Sequence, residues 1–396
     1  MGHSDGKGAP SLVGKFRDMS RMQDIPSNSG RPVRHVLAER AFRTRESNPY
    51  QYLLYSQIAR LGPRVSEFFN PWNWLRSPPD IVHLHWPEMP IGHPSPIRAR
   101  VQLELLLNGI RACKARGARV IWTVHNLDAH EADENSGTPF RRRLRRRIWK
   151  GVRAQLDGWI AHSEDSRAEA IVAHPWLERL PSTVIPHGHF RGEYPDEVTR
   201  AEARATLGFT ASDRILLCFG ALRPYRNVAA LLDAFRATAG DDLRLLVAGG
   251  ARDPIFKEEI ERIAARDPRV RLDLRHVPVA ELQQHFRACD LVVLPYRDIL
   301  NSGAALLALS FDRPVLLPHK GSMPELQRTV GAGWIRLFRK EISSLELQKA
   351  IRWTETTERP ARAPLAGLDW EHLADLTLQF YGRMLNAGSA AARHAR

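Results

Sequence analysis

Cysteine is scarce in this chain, with three in 396 residues. Cys113, Cys218 and Cys289 are scattered. Their spacing matches neither a disulfide framework nor a Cys-x-x-Cys metal motif, which excludes a stapled secreted fold and a structural zinc site. They read as buried free thiols in a reducing compartment. Long apolar runs are missing as well. No stretch approaches the roughly 18 residues that cross a bilayer, and the N-terminus has no apolar signal core. The chain is therefore expected to be cytoplasmic, or peripheral on the inner face of the cell membrane. No Asp-x-Asp metal motif is evident, and neither a metal nor a cofactor is expected. Acidic residues are in deficit, with 44 Asp and Glu against 58 Lys and Arg and a net charge of +14. Such a balance suits an anionic partner: nucleic acid, acidic lipid or a phosphorylated substrate.

What is present is ordinary for a soluble globular protein of two domains, at 43% hydrophobic and 26% charged residues. Residues 1–31 are rich in Gly, Ser, Pro and charge and read as a disordered tail. Strands then alternate with helices. The strands are Val33–Leu37, Asp80–Trp86, Arg119–Val124, Gly158–Ala161 and Thr183–Pro186. A composition shift near 190–210 marks a linker, after which the pattern restarts with Ile215–Phe219. The expected domains are 32–195 and 196–369, with a closing helix and loose tail over 370–396. Alternation of this kind gives two α/β domains with parallel sheets and right-handed crossovers. Ligands of such sheets sit beyond the carboxyl ends of the strands.

One stretch is built for an anion. The apolar run Leu291–Pro295 reads as a buried strand, and Asn301-Ser302-Gly303 opens a helix of small residues. A helix N-terminus offers unpaired N–H groups and a partial positive charge. Ser302 can cap that end and Gly303 lets a phosphate come close. The next strand, Pro314–Pro318, leads to a loop carrying Glu325, whose carboxylate suits paired ribose hydroxyls or a helix start. The sequence therefore suggests a sugar diphosphate as ligand.

The motif Phe219-Gly220-Ala221-Leu222-Arg223-Pro224-Tyr225-Arg226-Asn227 resembles the first turn in the C-terminal domain of GT-B glycosyltransferases, and the resemblance spans roughly 33–385. It implies two Rossmann-like domains facing a cleft, with a basic residue on the donor diphosphate. Arg226 matches that place best, with Gly220 and Arg223 beside it. An Arg fork can hold two phosphate oxygens. Ser47-Asn48-Pro49-Tyr50, His83-Leu84-His85-Trp86-Pro87-Glu88, Trp122 to Glu131, and Ile185-Pro186-His187-Gly188-His189 narrow the match. They look like bacterial exopolysaccharide transferases of the xanthan-type GDP-mannose:glycolipid β-1,4-mannosyltransferases. That resemblance implies a nucleotide-sugar donor, a lipid-linked or saccharide acceptor, and donor contacts from His187, Gly188, Ser302, Gly303 and Glu325. Where many retaining relatives of this fold carry a glutamate before the central helix, Arg297-Asp298-Ile299-Leu300-Asn301 stands instead, which is compatible with inversion. An inverting reaction needs a base from the N-terminal half: Glu131 first, then His125 and Glu88, with His85 and His130 also at strand ends. Other readings are a UDP-sugar transferase, a nucleotide-sugar 2-epimerase of the same fold, or a catalytically idle membrane-associated subunit of a polysaccharide assembly.

Residues 140–153 form the strongest charge run. Phe140, Leu144, Ile148 and Val152 recur every four residues among arginines, giving a helix with one apolar face. The expectation is that this face packs on the N-terminal sheet while the arginines meet anionic lipid. A nucleic-acid partner is not expected, for no binding motif accompanies the charge.

Overall fold

Short runs of Val, Ile and Leu bounded by turns build the sheets, and longer runs of 3.6-residue periodicity build the helices that cover them. The computed structural model describes residues 32–394 apart from 69, 71 and 128–137. The tail 1–31 and the candidates His130 and Glu131 lie outside the described residues. The first lobe runs β1 (His35–Ala38), α1 (Tyr50–Arg60), β2 (Arg64–Glu67), α2 (Trp72–Leu75), β3 (Ile81–Leu84), α3 (Pro96–Ala115), β4 (Arg119–Thr123), α4 (Pro139–Arg153), β5 (Gly158–Ala161), α5 (Glu164–Ala173) and β6 (Ser182–Val184). The second runs α6 (Arg200–Thr206), β7 (Arg214–Phe219), α7 (Val228–Arg236), β8 (Leu243–Ala248), α8 (Pro254–Ala264), β9 (Val270–Asp273), α9 (Leu282–Ala288), β10 (Leu291–Val293), α10 (Gly303–Ser310), β11 (Val315–Pro318), α11 (Met323–Val330), β12 (Ile335–Phe338) and α12 (Ser344–Thr356). Last comes α13 (Trp370–His394).

Each lobe holds one six-stranded sheet, with every named pair parallel. The first is ordered β2-β1-β3-β4-β5-β6 and the second β12-β11-β10-β7-β8-β9. Strand order reverses between β1 and β3 in one sheet and between β7 and β10 in the other. Loops part at such points and open a crevice. These are the two Rossmann-like domains the resemblance implied.

Helix α13 and the loop after β10 both join the lobes. Helix α13 returns to the first lobe, where Leu373, Tyr381 and Met384 pack with Tyr55, Ile58 and Val36. The loop after β10 reaches across: Leu300 sits in the first lobe's core, and Asn301 Nδ2 donates to the His125 carbonyl at 3.0 Å. The structure corrects the sequence reading in places. The last helix continues to His394 instead of loosening after Asn386. Phe140 is 38% exposed, so the buried stripe of α4 begins at Leu144. Edge strands β2 and β12 escaped notice because Arg64-Val-Ser-Glu67 and Ile335-Arg-Leu-Phe338 lack a continuous apolar run.

Candidate active site

At the switch point of the second sheet, β7 ends in Gly220, with φ +118°. A Cβ there would stand 2.7 Å from Arg226 Nη1, so only glycine lets the guanidinium fold over the strand end. Arg226 Nη1 donates to the Phe219 carbonyl and to the Tyr296 hydroxyl, both at 3.0 Å. Its guanidinium lies 5.1 Å from the Tyr296 ring centre, and its Nε–H is buried without a partner. Among the described residues no carboxylate neutralises it. Tyr296 comes from the loop after β10, and its hydroxyl lies 3.4 Å from Ser302 Oγ. Ser302 caps α10 by accepting from Ala305 N at 3.1 Å, and no acidic residue occupies that helix's first turn. Arg226, Tyr296 and the α10 amides thus gather positive potential that nothing on the lobe cancels. Arg223, half-buried, begins the short turn that carries Arg226.

The facing edge of the first lobe is made of histidines. Tyr55 Oη meets His85 Nε2 at 2.7 Å, His85 Nδ1 meets His125 Nε2 at 2.9 Å, and His125 Nδ1 meets His162 Nε2 at 3.2 Å. His162 Nδ1 ends the row on the Ile185 carbonyl at 2.9 Å. A carbonyl only accepts, so His162 must carry its proton on Nδ1. The same logic passes up the row: each neutral ring donates from Nδ1 and accepts at Nε2, and Tyr55 donates at the head. Burial drives these rings neutral, with neighbouring imidazoles adding to it: His83 is pushed down to about 3, and His85 and His125 lie well below the usual range. Burial alone brings His162 to about 4. Trp86 stacks on His125 at 4.2 Å, and the buried Glu39 carboxylate accepts from His85 N and Trp86 N at 3.0 and 2.8 Å.

His125 therefore has no ring nitrogen left for an acceptor hydroxyl, which counts against it as a direct base. His187 differs. Its Nδ1 donates to the Gly188 carbonyl at 2.7 Å, leaving Nε2 as a lone-pair site, and burial holds it neutral at about 3. A Cβ on Gly303 would stand 3.8 Å from that Nε2, so His187 meets the α10 N-terminus across the cleft. Gly188 also allows close packing: a Cβ there would lie 2.4 Å from the Trp370 ring. Glu325 Oε2 accepts from Glu164 N at 2.9 Å, tying α11 to the start of α5 across the lobes. His187, Ser302 and Glu325 line one interlobe cavity of about 50 Å³. Glu88 is half-buried in the turn after β3.

The sequence reading missed Tyr55, His83, His162, Tyr296 and Glu39. A signal for one of the missed histidines, His162, was there: β3, β4, β5 and β6 are each followed within three residues by a histidine, at 85, 125, 162 and 187.

Comparison with known proteins agrees with this geometry. The glycosyl transferases group 1 pattern matches residues 213–353, the sheet that carries Arg226 and Ser302. A GDP-mannose:glycolipid 4-β-D-mannosyltransferase of Xanthomonas campestris pv. campestris is 31% identical over 347 residues, covering 87% of this chain and 91% of that one. A lipopolysaccharide core biosynthesis mannosyltransferase of Rhizobium meliloti is 26% identical, covering 70% and 73%. Among solved structures, sucrose-phosphate synthase from Thermosynechococcus elongatus superposes with a TM-score of 0.63 over 89% of this chain and 100% of its own, at 16% identity, a likeness of fold. Sheet order, switch-point residues and a relative matched along nearly its whole length lead to one assignment: the chain belongs to the group 1 glycosyltransferases, of the GT-B fold.

Proposed function

We propose that this enzyme transfers mannose from GDP-mannose to a lipid-linked saccharide acceptor, with inversion, in exopolysaccharide or cell-envelope glycan synthesis. The donor and acceptor are those named for the Xanthomonas relative. GDP-mannose carries its sugar α-linked, so a β product requires inversion and a base on the acceptor side. The observation that carries the reading is a carboxylate-free guanidinium beside an uncapped-by-acid helix start at the switch point.

In this reading Arg226, Arg223 and the amides at Ser302 and Gly303 hold the diphosphate and stabilise the charge that grows on GDP as the glycosidic bond breaks. These groups are set before reaction, so no metal is needed for that step. One oxygen of Glu325 holds Glu164 N–H and the other accepts from the ribose. His187 Nε2 accepts from a hydroxyl of the donor sugar. Glu131 takes the acceptor proton, with Glu88 as the second candidate, while the row of neutral histidines fixes the ends of β3, β4 and β5. The acceptor oxygen attacks C1 from the face opposite GDP, its proton passes to the carboxylate, and GDP departs with the bonding pair.

A lipid-linked acceptor also needs an enzyme that sits at a membrane. Among the described residues no helix is long and apolar enough to cross one. Helix α3 instead exposes Ile97, Val101 and Leu105 in a line, at 77%, 53% and 48%. Helix α4 packs beside it, with Gly151 meeting Leu107, and begins with half-covered Phe140 and exposed Arg141, Arg142 and Arg143. Apolar side chains flanked by cations suit an anionic bilayer surface. Glutamine at Arg141, Arg142, Arg143 and Arg146 should weaken binding to phosphatidylglycerol vesicles about 100-fold or more, at about 1 kcal/mol per charge. Unchanged co-sedimentation rejects the surface.

The donor is tested by thermal stabilisation with nucleotides. GDP should raise the melting temperature and UDP should not, and GDP should be released from GDP-mannose only with acceptor present. Stabilisation by UDP alone overturns the mannosyl assignment, and donor conversion without acceptor overturns transfer.

A further inference from the structure

At the far end of the second sheet, where β7, β10 and β11 begin, lies a separate cavity of about 470 Å³. Its walls carry five arginines against three carboxylates. Most of these charges are paired: Arg200 with Asp290, Arg214 with Asp242 and Glu355, Arg287 with Asp196, and Asp312 with Arg191. Arg359 is satisfied by the Gly333 and Thr354 carbonyls. Arg313 is the exception. Its one hydrogen bond runs from Nη1 to the Cys289 carbonyl at 3.3 Å, and its Nε–H is buried without a partner. The indole N–H of Trp334, on the same wall, is also buried and unpartnered. Burial lowers the pKa of Arg313, and Arg287 and Arg200 press in the same direction, while Cys289 and Asp290 oppose them.

A half-buried guanidinium without a carboxylate of its own is costly, and a buried N–H without an acceptor adds to the cost. Folded chains accept such groups where a ligand completes them. What fits a guanidinium without a carboxylate of its own, among other arginines at one cavity wall, is an anion rich in acceptor oxygens. Leu216, Leu291, Pro314 and Ile351 supply an apolar side to the same space, and the volume is that of a small-metabolite pocket. We propose that this cavity is a second anion site, which binds a phosphate group, free or carried on a small metabolite, through Arg313. It lies at the amino ends of the strands, whereas the donor cleft lies beyond their carboxyl ends, so the proposal stands apart from the transfer reaction.

The test is thermal stabilisation of the full chain by inorganic phosphate and by glucose 6-phosphate at matched ionic strength, in wild type, Arg313→Gln and Arg226→Ala. Saturable stabilisation of several degrees is expected in wild type and in Arg226→Ala, where the cleft's grip on phosphate is removed, and at least a tenfold loss of affinity in Arg313→Gln. The two probes separate the sources: a much stronger response to the ester assigns a metabolite, and equal responses assign free phosphate. Without ligand, Arg313→Gln should melt at or above the wild-type temperature, since it removes a half-buried charge that no carboxylate pairs. No stabilisation in wild type, loss in Arg226→Ala with retention in Arg313→Gln, or a ligand-free Arg313→Gln that melts several degrees lower each overturns the proposal. The last outcome would make the guanidinium a structural part of the lobe.

Discussion

The two sheet edges that face one another differ in kind. The second lobe gathers positive charge and leaves it unneutralised, in Arg226 and the start of α10. The first lobe places four histidines opposite and keeps all of them uncharged. Were those rings imidazolium, the diphosphate would find cations on both sides and its orientation would be lost. Because they are neutral, the attractive field comes from one lobe only. In the proposed reading the diphosphate end of the donor is drawn to the second lobe and the sugar is left toward the first. Positive charge near C1, where an oxocarbenium-like state develops, is also avoided. The asymmetry that would orient the substrate comes from burial on one side and, among the described residues, from an Arg226 guanidinium without a carboxylate partner on the other.

The largest expected effect concerns the neutral side. Each ring has a folded pKa below its unfolded value of about 6.5, so the unfolded chain binds more protons between pH 6.5 and 4. The stability these rings contribute is complete above pH 6.5 and is lost as pH falls through that window. The loss is roughly 1.5 kcal/mol per histidine between pH 6.5 and 5, several kcal/mol together. Denaturant midpoints measured against pH should fall steeply there. A flat profile would mean the rings are already charged and would remove the contrast between the lobes.

The next effect breaks the charged side. Arg226→Ala should lower kcat about 100- to 1000-fold, the range for losing one preorganised donor to developing charge. Its partners are a carbonyl and a hydroxyl, so the melting temperature should move little. Near-normal turnover would take Arg226 out of the site. A smaller effect sharpens the neutral side. His125→Ala leaves His85 Nδ1–H and His162 Nε2 without partners in a dry interior, at about 2–4 kcal/mol. Turnover normalised for folded protein should fall less than for Arg226→Ala, because His125 positions and does not touch the substrate. An equal fall with unchanged stability would make His125 the base after all.

The contrast was half legible in the sequence. Most strands of both sheets could be read, for apolar runs with Gly-rich ends at strand length are a strong signal, and so could the turn from Gly220 to Arg226 and the helix cap at Ser302. Each is local: the turn is seven residues in a row. The histidine row is not. His85, His125 and His162 lie 40 and 37 residues apart and become neighbours only when β3, β4 and β5 align. Their neutrality depends on burial, and no single residue type reports burial. The packing at Gly188 was hidden for the same reason: the ring beside it comes from Trp370, at the far end of the chain. The cavity around Arg313 was invisible because its arginines come from five segments, and nothing in sequence separates the paired from the unpaired.

The smallest effect lies where the two sides meet. Glu325 holds the first N–H of α5 with one oxygen and lines the cleft beside Ser302 and His187. Glu325→Gln keeps the shape and a carbonyl acceptor for Glu164 N–H, but removes the negative charge that suits paired ribose hydroxyls. If the ribose contact is made, KM for the donor should rise about tenfold, the 1–1.5 kcal/mol of one charged hydrogen bond, with kcat within about twofold. If Glu325 only ties the lobes, Gln should leave KM unchanged, while Glu325→Ala, which removes both functions, should lower the melting temperature. Comparing the two variants therefore separates a ligand contact from a clasp between lobes. A donor KM that stays at the wild-type value in both variants would leave the ribose to other groups.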